Sequence, residues 1–290
     1  MIEQFNGKML EDILKSKDFV GTLSRSMDIT RDRGYETSFT IAKKAGGSEL
    51  IYSPYIKVGN ENSVGGLIGL KRAKKNYEKA TGNRVNIMNP NEDFVEYCES
   101  KEPVKIPLEI TDYTKFFSNR FEAEKYFPLI HFHTHPERAA SPSSADLMNL
   151  ESMEGMAYIK DIFSKPIGII AGKVPKSDYA PLMVIQKKDP DLDMDEDVLK
   201  DFSDAFYKYY NKVTNPNNFY AELIFGKSLT PIMKGSSVEA PKKLTDTYNV
   251  GILAFDARKK KIITKNVFVG GNKDMNFSEF GFSGEIEDEE

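Results

Sequence analysis

HFHTHP at residues 131–136, followed by PSSADL at residues 142–147, is the stretch of this 290-residue chain that says most about its fold. All three histidines of the chain lie in the first of these segments. His133 and His135, together with Asp146 in the second segment, are three good ligands for one divalent metal ion. Two imidazoles and one carboxylate suit zinc. A set of three protein ligands leaves a fourth position for water, as in catalytic rather than structural zinc sites.

The two segments predict a strand followed by a helix. Residues 129–133 favour a strand, and side chains two apart in a strand point to the same face, about 6.6 Å apart along the chain. Two imidazoles placed in this way can converge on one ion. The helix predicted over residues 143–163 begins at a serine pair. Ser143 with an acid three residues later forms a capping box, which would also hold Asp146 rigidly as a ligand.

Strands and helices are predicted on both sides of this stretch. Hydrophobic periodicity favours a helix over residues 3–18 and another helix ending near Tyr210. Apolar, β-branched and aromatic runs bounded by turn residues predict strands at 35–42, 49–58, 167–173 and 180–187, and a hairpin within 248–269.

Composition excludes several classes of protein. The net charge of −4, from 40 basic and 44 acidic residues, does not favour nucleic-acid binding. Cys98 is the only cysteine, so an internal disulfide and a cysteine-based zinc site are both excluded. The first residues lack an apolar signal core, and no apolar run approaches about 18 residues. We therefore expect a soluble, cytoplasmic protein in a reducing compartment.

The spacing of the motif resembles a known signature. His-x-His-Pro, six residues, then Ser-x-x-Asp, over residues 133–146, is similar without a gap to the signature of the JAMM (JAB1/MPN/Mov34) metalloprotease family. The resemblance covers roughly residues 30–190. It implies a cytidine-deaminase-like/JAB1-MPN α/β sandwich, with a mixed central sheet flanked by helices. It also implies a zinc enzyme that cleaves isopeptide or peptide bonds next to ubiquitin or a ubiquitin-like modifier, so that its partners are protein substrates.

The same resemblance assigns roles to four residues. His133, His135 and Asp146 would be the zinc ligands, and Ser143 would donate a hydrogen bond to the tetrahedral intermediate. His131 has no counterpart among the family's ligands. We therefore expect His131 to neighbour the metal site rather than to bind the ion.

The family also requires an upstream glutamate that takes a proton from water. Glu36 is the best candidate, because family members place this residue just before the first hairpin of the sheet. Phe39 stands where the family often has glycine, which leaves Glu49 and Glu61 as alternatives for the base.

Domain boundaries follow from composition and from the family's usual size. We predict an N-terminal helical segment at 1–30, a JAMM-type domain at 31–190, a C-terminal extension at 191–283 and an acidic tail at 284–290. Glu36 and His133 are 133 − 36 = 97 residues apart, which predicts an insertion at about 64–110 that borders the active-site groove. The extension is expected to be appended to the catalytic sandwich, so that a fragment of residues 1–190 would retain zinc.

Two other functional classes remain open. A non-catalytic scaffold could use the same fold, although such relatives normally lose metal ligands and this chain keeps all three. Bacterial relatives connected with DNA repair carry the same string, including a proline before the serine, as Pro142 stands here. The low net charge and the lack of a recognisable DNA-binding motif weigh against a nucleic-acid-associated protein.

Overall fold

A computed structural model of the chain describes residues 2–44, 50–52, 55–59, 77–84, 93, 105–107, 126–136, 140–158, 165–172, 179–189, 192, 194–213, 241–263 and 277–285. Most of the predicted insertion at 64–110 lies outside these ranges, as do Glu49, Glu61 and Cys98. Residues 105–107, at the end of the predicted insertion, form a strand at an edge of the sheet.

The elements follow one another as strands and helices in mixed order. They are β1 (Ile2–Phe5), α1 (Gly7–Lys15), α2 (Lys17–Arg33), β2 (Thr37–Lys44), β3 (Leu50–Tyr52), β4 (Tyr55–Val58), β5 (Lys105–Pro107), β6 (Tyr126–Thr134), α3 (Ser144–Tyr158), β7 (Ile167–Ala171), β8 (Tyr179–Lys187), α4 (Glu196–Val213), α5 (Lys242–Thr247), β9 (Tyr248–Asp256), β10 (Lys261–Ile263), a 3₁₀ turn (Phe277–Glu279) and β11 (Phe282–Glu285).

The central sheet has nine strands in the described part of the chain. Their order is β10-β9-β8-β7-β6-β2-β4-β5, and β3 also pairs with β2. The β6–β7 pair is parallel and the other pairs are antiparallel, so the sheet is mixed. The predicted α/β class is confirmed, and the strands predicted at 35–42, 129–133, 167–173 and 180–187 are present as β2, β6, β7 and β8.

One face of the sheet is covered by α1 and α2. Strand alternation turns Phe39 of β2 and Phe132 of β6 to this face, where their ring centroids lie 4.7 Å apart. Phe19 of α2 packs on Phe39 with centroids 5.9 Å apart. The three rings belong to a buried apolar cluster shared by both helices and most strands of the sheet, together with β1 and β11. Burying side chains of this size contributes about 1.5–3 kcal/mol each.

The opposite face is covered by α3, α4 and α5. Leu147 and Leu150 of α3 and Phe206 of α4 pack in one buried cluster with Ile170 of β7 and Met183 of β8. Helices therefore flank both faces of the sheet. Among the described helices, none is both long enough and apolar enough to cross a membrane.

The segment after residue 190 differs from its prediction. Composition predicts that residues 191–283 are appended to the sandwich, but the described part of this segment supplies two strands of the sheet and two of its covering helices. Tyr248–Asp256 forms β9, which pairs with the whole of β8 from Lys187↔Tyr248 to Tyr179↔Asp256. The acidic run after residue 188 resembles a boundary because it is polar. It leads instead into α4, whose acidic residues lie on the exposed face of an amphipathic helix.

The two ends of the described chain also meet. β1 pairs antiparallel with β11, with Ile2 opposite Glu285 and Glu3 opposite Gly284. The acidic tail predicted at 284–290 therefore begins inside a strand, and the N-terminal segment predicted as helical at 1–30 begins with one. The helical part of this segment extends to Arg33 as α1 and α2.

Candidate metal centre

Three side chains converge at the carboxyl end of β6. The Nε2 atoms of His133 and His135 lie 3.0 Å apart. Asp146 Oδ1 lies 3.1 Å from His133 Nε2, and Asp146 Oδ2 lies 3.5 Å from His135 Nε2. A tetrahedral ion with bonds of about 2.0–2.1 Å holds its ligand atoms about 3.3 Å apart, close to the separation of the two imidazole nitrogens. The two carboxylate distances involve different oxygens, and one ligand atom from each of the three residues lies within 4.8 Å of the others. The predicted ligands are thus brought together, and this group could bind a metal ion.

The histidine pair is fixed by the strands on both sides of β6. His133 lies opposite Ser38 of β2 and beside Ile170 of β7. His135 follows the last residue of β6, and its N–H donates to the carbonyl oxygen of Ala171 at 2.8 Å. Both imidazoles are buried, with 4% of each residue exposed. The backbone that carries the two rings is therefore held on both sides.

Asp146 is held by a capping box at the start of α3. The backbone N–H and the hydroxyl of Ser143 both donate to Asp146 Oδ2 at 2.7 Å, and Asp146 N–H donates back to Ser143 Oγ at 3.2 Å. These reciprocal bonds are those of a capping box, with aspartate as the acid. The serine therefore holds the carboxylate in place as well as starting the helix.

The pKa of the Asp146 carboxyl lies well below its ordinary value. Burial alone would raise this pKa, but the adjacent imidazoles of His133 and His135 favour the charged form by charge and by hydrogen bonding. Asp146 is therefore a carboxylate at neutral pH, which is the form that binds a metal ion.

The loop before α3 is supported by the C-terminal half of the chain. Ser203 of α4 donates its hydroxyl to the carbonyl oxygen of Pro142 at 3.0 Å. Gly172 allows the loop to approach the end of β7, because a Cβ at this position would lie 2.6 Å from Ala140 N and 3.0 Å from the hydroxyl oxygen of Tyr210. Sequence patterns could not reveal Ser203 or Tyr210 as supports, since neither contact follows a local periodicity.

Glu36 is buried on the same side of the sheet as the histidine pair. Gly34, with φ of 70°, ends α2 in the left-handed conformation and turns the chain towards β2. The pairing Ser38↔His133 places Glu36, two residues before Ser38, opposite His135 if the register continues. Glu36 is 5% exposed, and its carbonyl oxygen accepts a hydrogen bond from Gly59 N–H at 2.8 Å.

His131 neighbours the ligand group without belonging to it. Its Nδ1 lies 3.2 Å from Thr40 Oγ1, and its ring centroid lies 5.8 Å from that of His133. Within the described ranges, the group that could hold a metal contains His133, His135 and Asp146 and does not contain His131. The candidate ligands in the structure are therefore the three that the sequence predicts.

No protein-family model matches the chain, and no curated protein sequence matches it. The resemblance to the JAMM family therefore rests on the motif at residues 133–146. The candidate metal site rests on the positions of His133, His135 and Asp146, the same residues that carry the motif.

Proposed function

We propose that the protein is a zinc-dependent peptidase or isopeptidase of the JAMM type, with the cytidine-deaminase-like sandwich of that family. The observation that carries the proposal is the convergence of His133, His135 and Asp146 at the end of β6 in a mixed sheet. The buried residue Glu36, immediately before the neighbouring strand β2, supports it. By resemblance, the substrates are proteins joined to ubiquitin or a ubiquitin-like modifier.

The donor set fits zinc. Two imidazole nitrogens and one carboxylate oxygen are common zinc ligands, and three protein ligands are typical of catalytic sites. When bound, zinc lowers the pKa of a water to about 7 and polarises a carbonyl group. The Asp146 carboxylate offsets part of the ion's charge in a region where both histidines are buried.

The remaining chemistry falls to Glu36. Amide hydrolysis needs a group that takes the proton of the attacking water and delivers it to the leaving amine, a contribution of about 10²–10⁴-fold. The Glu36 carboxylate is proposed to perform both transfers. Its place immediately before β2, which pairs with the strand that carries His133, would put it near a substrate held at the proposed metal site.

Ser143 is proposed to stabilise the negative charge that develops on the substrate carbonyl oxygen. Its hydroxyl donates to Asp146 in the structure, so it must turn from Asp146 to the substrate during the reaction. The backbone N–H of Ser143 also donates to Asp146 Oδ2, and this bond keeps the carboxylate in place when the hydroxyl turns.

Glu36→Gln is expected to keep the metal and lower hydrolysis by about 10²–10⁴-fold, because the amide has nearly the same shape but cannot accept the proton. The measurement is cleavage of linear and isopeptide-linked ubiquitin-like fusions, combined with zinc content from elemental analysis. Glu11→Gln, which changes a glutamate of α1 paired with Lys15, is the matched control and should behave as the parent does.

Two results would oppose this assignment. If Glu36→Gln cleaves as fast as the parent while Glu49→Gln or Glu61→Gln is inactive, the base is another glutamate. If the parent binds zinc but cleaves none of the fusions, the result favours the non-catalytic scaffold over the peptidase.

Ser143→Ala is expected to slow turnover by about 10²–10³-fold, as loss of one oxyanion donor does. Zinc content should change little, because the backbone N–H of residue 143 still holds Asp146. A serine that only caps α3 would instead cost about 1 kcal/mol of stability. Unchanged turnover with a lower melting temperature would support this capping role alone.

A further inference from the structure

Four buried hydroxyl groups meet on the face of the sheet opposite the metal ligands. Ser26 and Thr30 belong to α2, Thr37 to β2 and Thr134 to β6. Each of the four is at most 1% exposed. We call them the hydroxyl cluster. Two of its members stand directly beside residues of the proposed site in the chain: Thr134 lies between His133 and His135, and Thr37 follows Glu36.

The oxygen atoms of the hydroxyl cluster contact one another at short distances. Thr134 Oγ1 lies 2.6 Å from Thr30 Oγ1 and 3.0 Å from Thr37 Oγ1, and the Thr30 and Thr37 oxygens are 3.1 Å apart. Ser26 Oγ lies 2.5 Å from Thr37 Oγ1. The three threonines therefore form a triangle, in which every hydroxyl contacts both of the others.

One contact of the hydroxyl cluster joins the two strands of the site. The β2–β6 ladder begins at the pair Ser38↔His133. Immediately beyond it, the backbone N–H of Thr37 donates to Thr134 Oγ1 at 2.8 Å. A side-chain oxygen thus continues the connection between the strands beyond the ladder. This bond joins Thr37, the residue after Glu36, to Thr134, the residue between His133 and His135.

The surroundings indicate why hydroxyl groups are present there. The same face is mostly apolar, with Met27, Phe39 and Phe132 in its core. Apolar side chains could fill this space, and buried hydroxyls cost free energy unless they are bonded. Packed apolar groups tolerate small shifts, whereas a fully bonded polar network favours one arrangement. Hydroxyl groups at these positions therefore contribute more to the placement of the strands than to stability.

We propose that the hydroxyl cluster is a positioning device that sets the distance between Glu36 and the His133–His135 pair. Thr134 fixes the backbone that carries both imidazoles, and Thr37 fixes the start of β2, directly after Glu36. Ser26 and Thr30 anchor both threonines to α2. The role towards Glu36 rests on the proposed function, whereas the role towards the histidines concerns metal binding alone.

The test replaces hydroxyls by methyl groups of nearly equal volume. Thr134→Val is expected to weaken zinc binding about tenfold, measured by competition with a chromogenic chelator. It should also speed hydrogen–deuterium exchange at the Thr37 amide in the metal-free protein, because that amide loses its acceptor. Thr134→Ser retains the hydroxyl and should return both values towards those of the parent.

Thr22→Val is the matched control, because Thr22 is a buried threonine of α2 outside the hydroxyl cluster. It is expected to leave zinc affinity and Thr37 exchange unchanged. If Thr134→Val fails to fold, Thr30→Val removes the anchor on α2 and should weaken zinc binding in the same direction.

Equal zinc affinity and Thr37 exchange in Thr134→Val, Thr22→Val and the parent would overturn the proposal. The proposal would also fail if Thr134→Ser were as impaired as Thr134→Val, since the methyl group rather than the hydroxyl would then matter. Both readouts concern binding and exchange. A parent that binds zinc without cleaving any substrate would therefore count against the proposed function and not against the positioning role.

Discussion

Replacing both His133 and His135 by alanine is expected to reduce bound zinc from about one ion per chain to background. The imidazole Nε2 atoms lie 3.0 Å apart and supply two of the three ligand atoms. The remaining carboxylate of Asp146 cannot hold zinc alone at micromolar protein concentration. Elemental analysis of protein purified without chelators measures the loss, and circular dichroism checks that the fold persists.

His131→Ala is the matched control for this pair. It removes the same kind of ring from the same strand, but His131 lies beside the ligand group rather than in it. The single variant should therefore keep its zinc. If the double variant still binds a stoichiometric amount of metal, the assignment of His133 and His135 as ligands is wrong. A loss of metal as complete in His131→Ala would add a third histidine to the ligand set.

The convergence of the three candidate ligands can be predicted because it is local. His133 near the end of β6 and His135 directly after it are two residues apart, and the capping box places Asp146 in the first turn of the next helix. Both features depend on side-chain periods of two and about 3.6 residues, which are visible in a single sequence. The same reasoning predicts β7, whose five residues are all buried. The strand, the helix and the spacing of the motif can therefore be predicted without reference to the rest of the chain.

The placement of distant segments cannot be predicted in this way. A hairpin within residues 248–269 is expected, but nothing in its sequence names β8 as the neighbour of β9. The same holds for the contact of Ser203 with Pro142 and for that of Thr30 with Thr134, which is 104 residues away in the chain. Such contacts depend on how whole layers of helices and strands pack together, so no local sequence periodicity predicts them.

A fragment of residues 1–190 is expected to lose the proposed zinc site because it loses the fold around it. The cut removes β9, which pairs with β8 along its whole length. It also removes Phe202, Phe206 and Tyr248, whose rings pack together in the cluster that covers α3. At about 1.5–3 kcal/mol for each large apolar side chain, these losses approach the roughly 5–15 kcal/mol that stabilises a typical domain.

Limited proteolysis near residue 190 and expression of the fragment provide the measurement. The isolated fragment should show no cooperative thermal unfolding and no stoichiometric zinc, whereas its co-expression with residues 191–290 should restore both. The restored complex is the control, since it contains the same cut with the missing strand and helices supplied. A fragment of residues 1–190 that folds alone and binds one zinc would instead make residues 191–290 an appended element. The contacts of α4 with the loop before Asp146 would then be dispensable for metal binding.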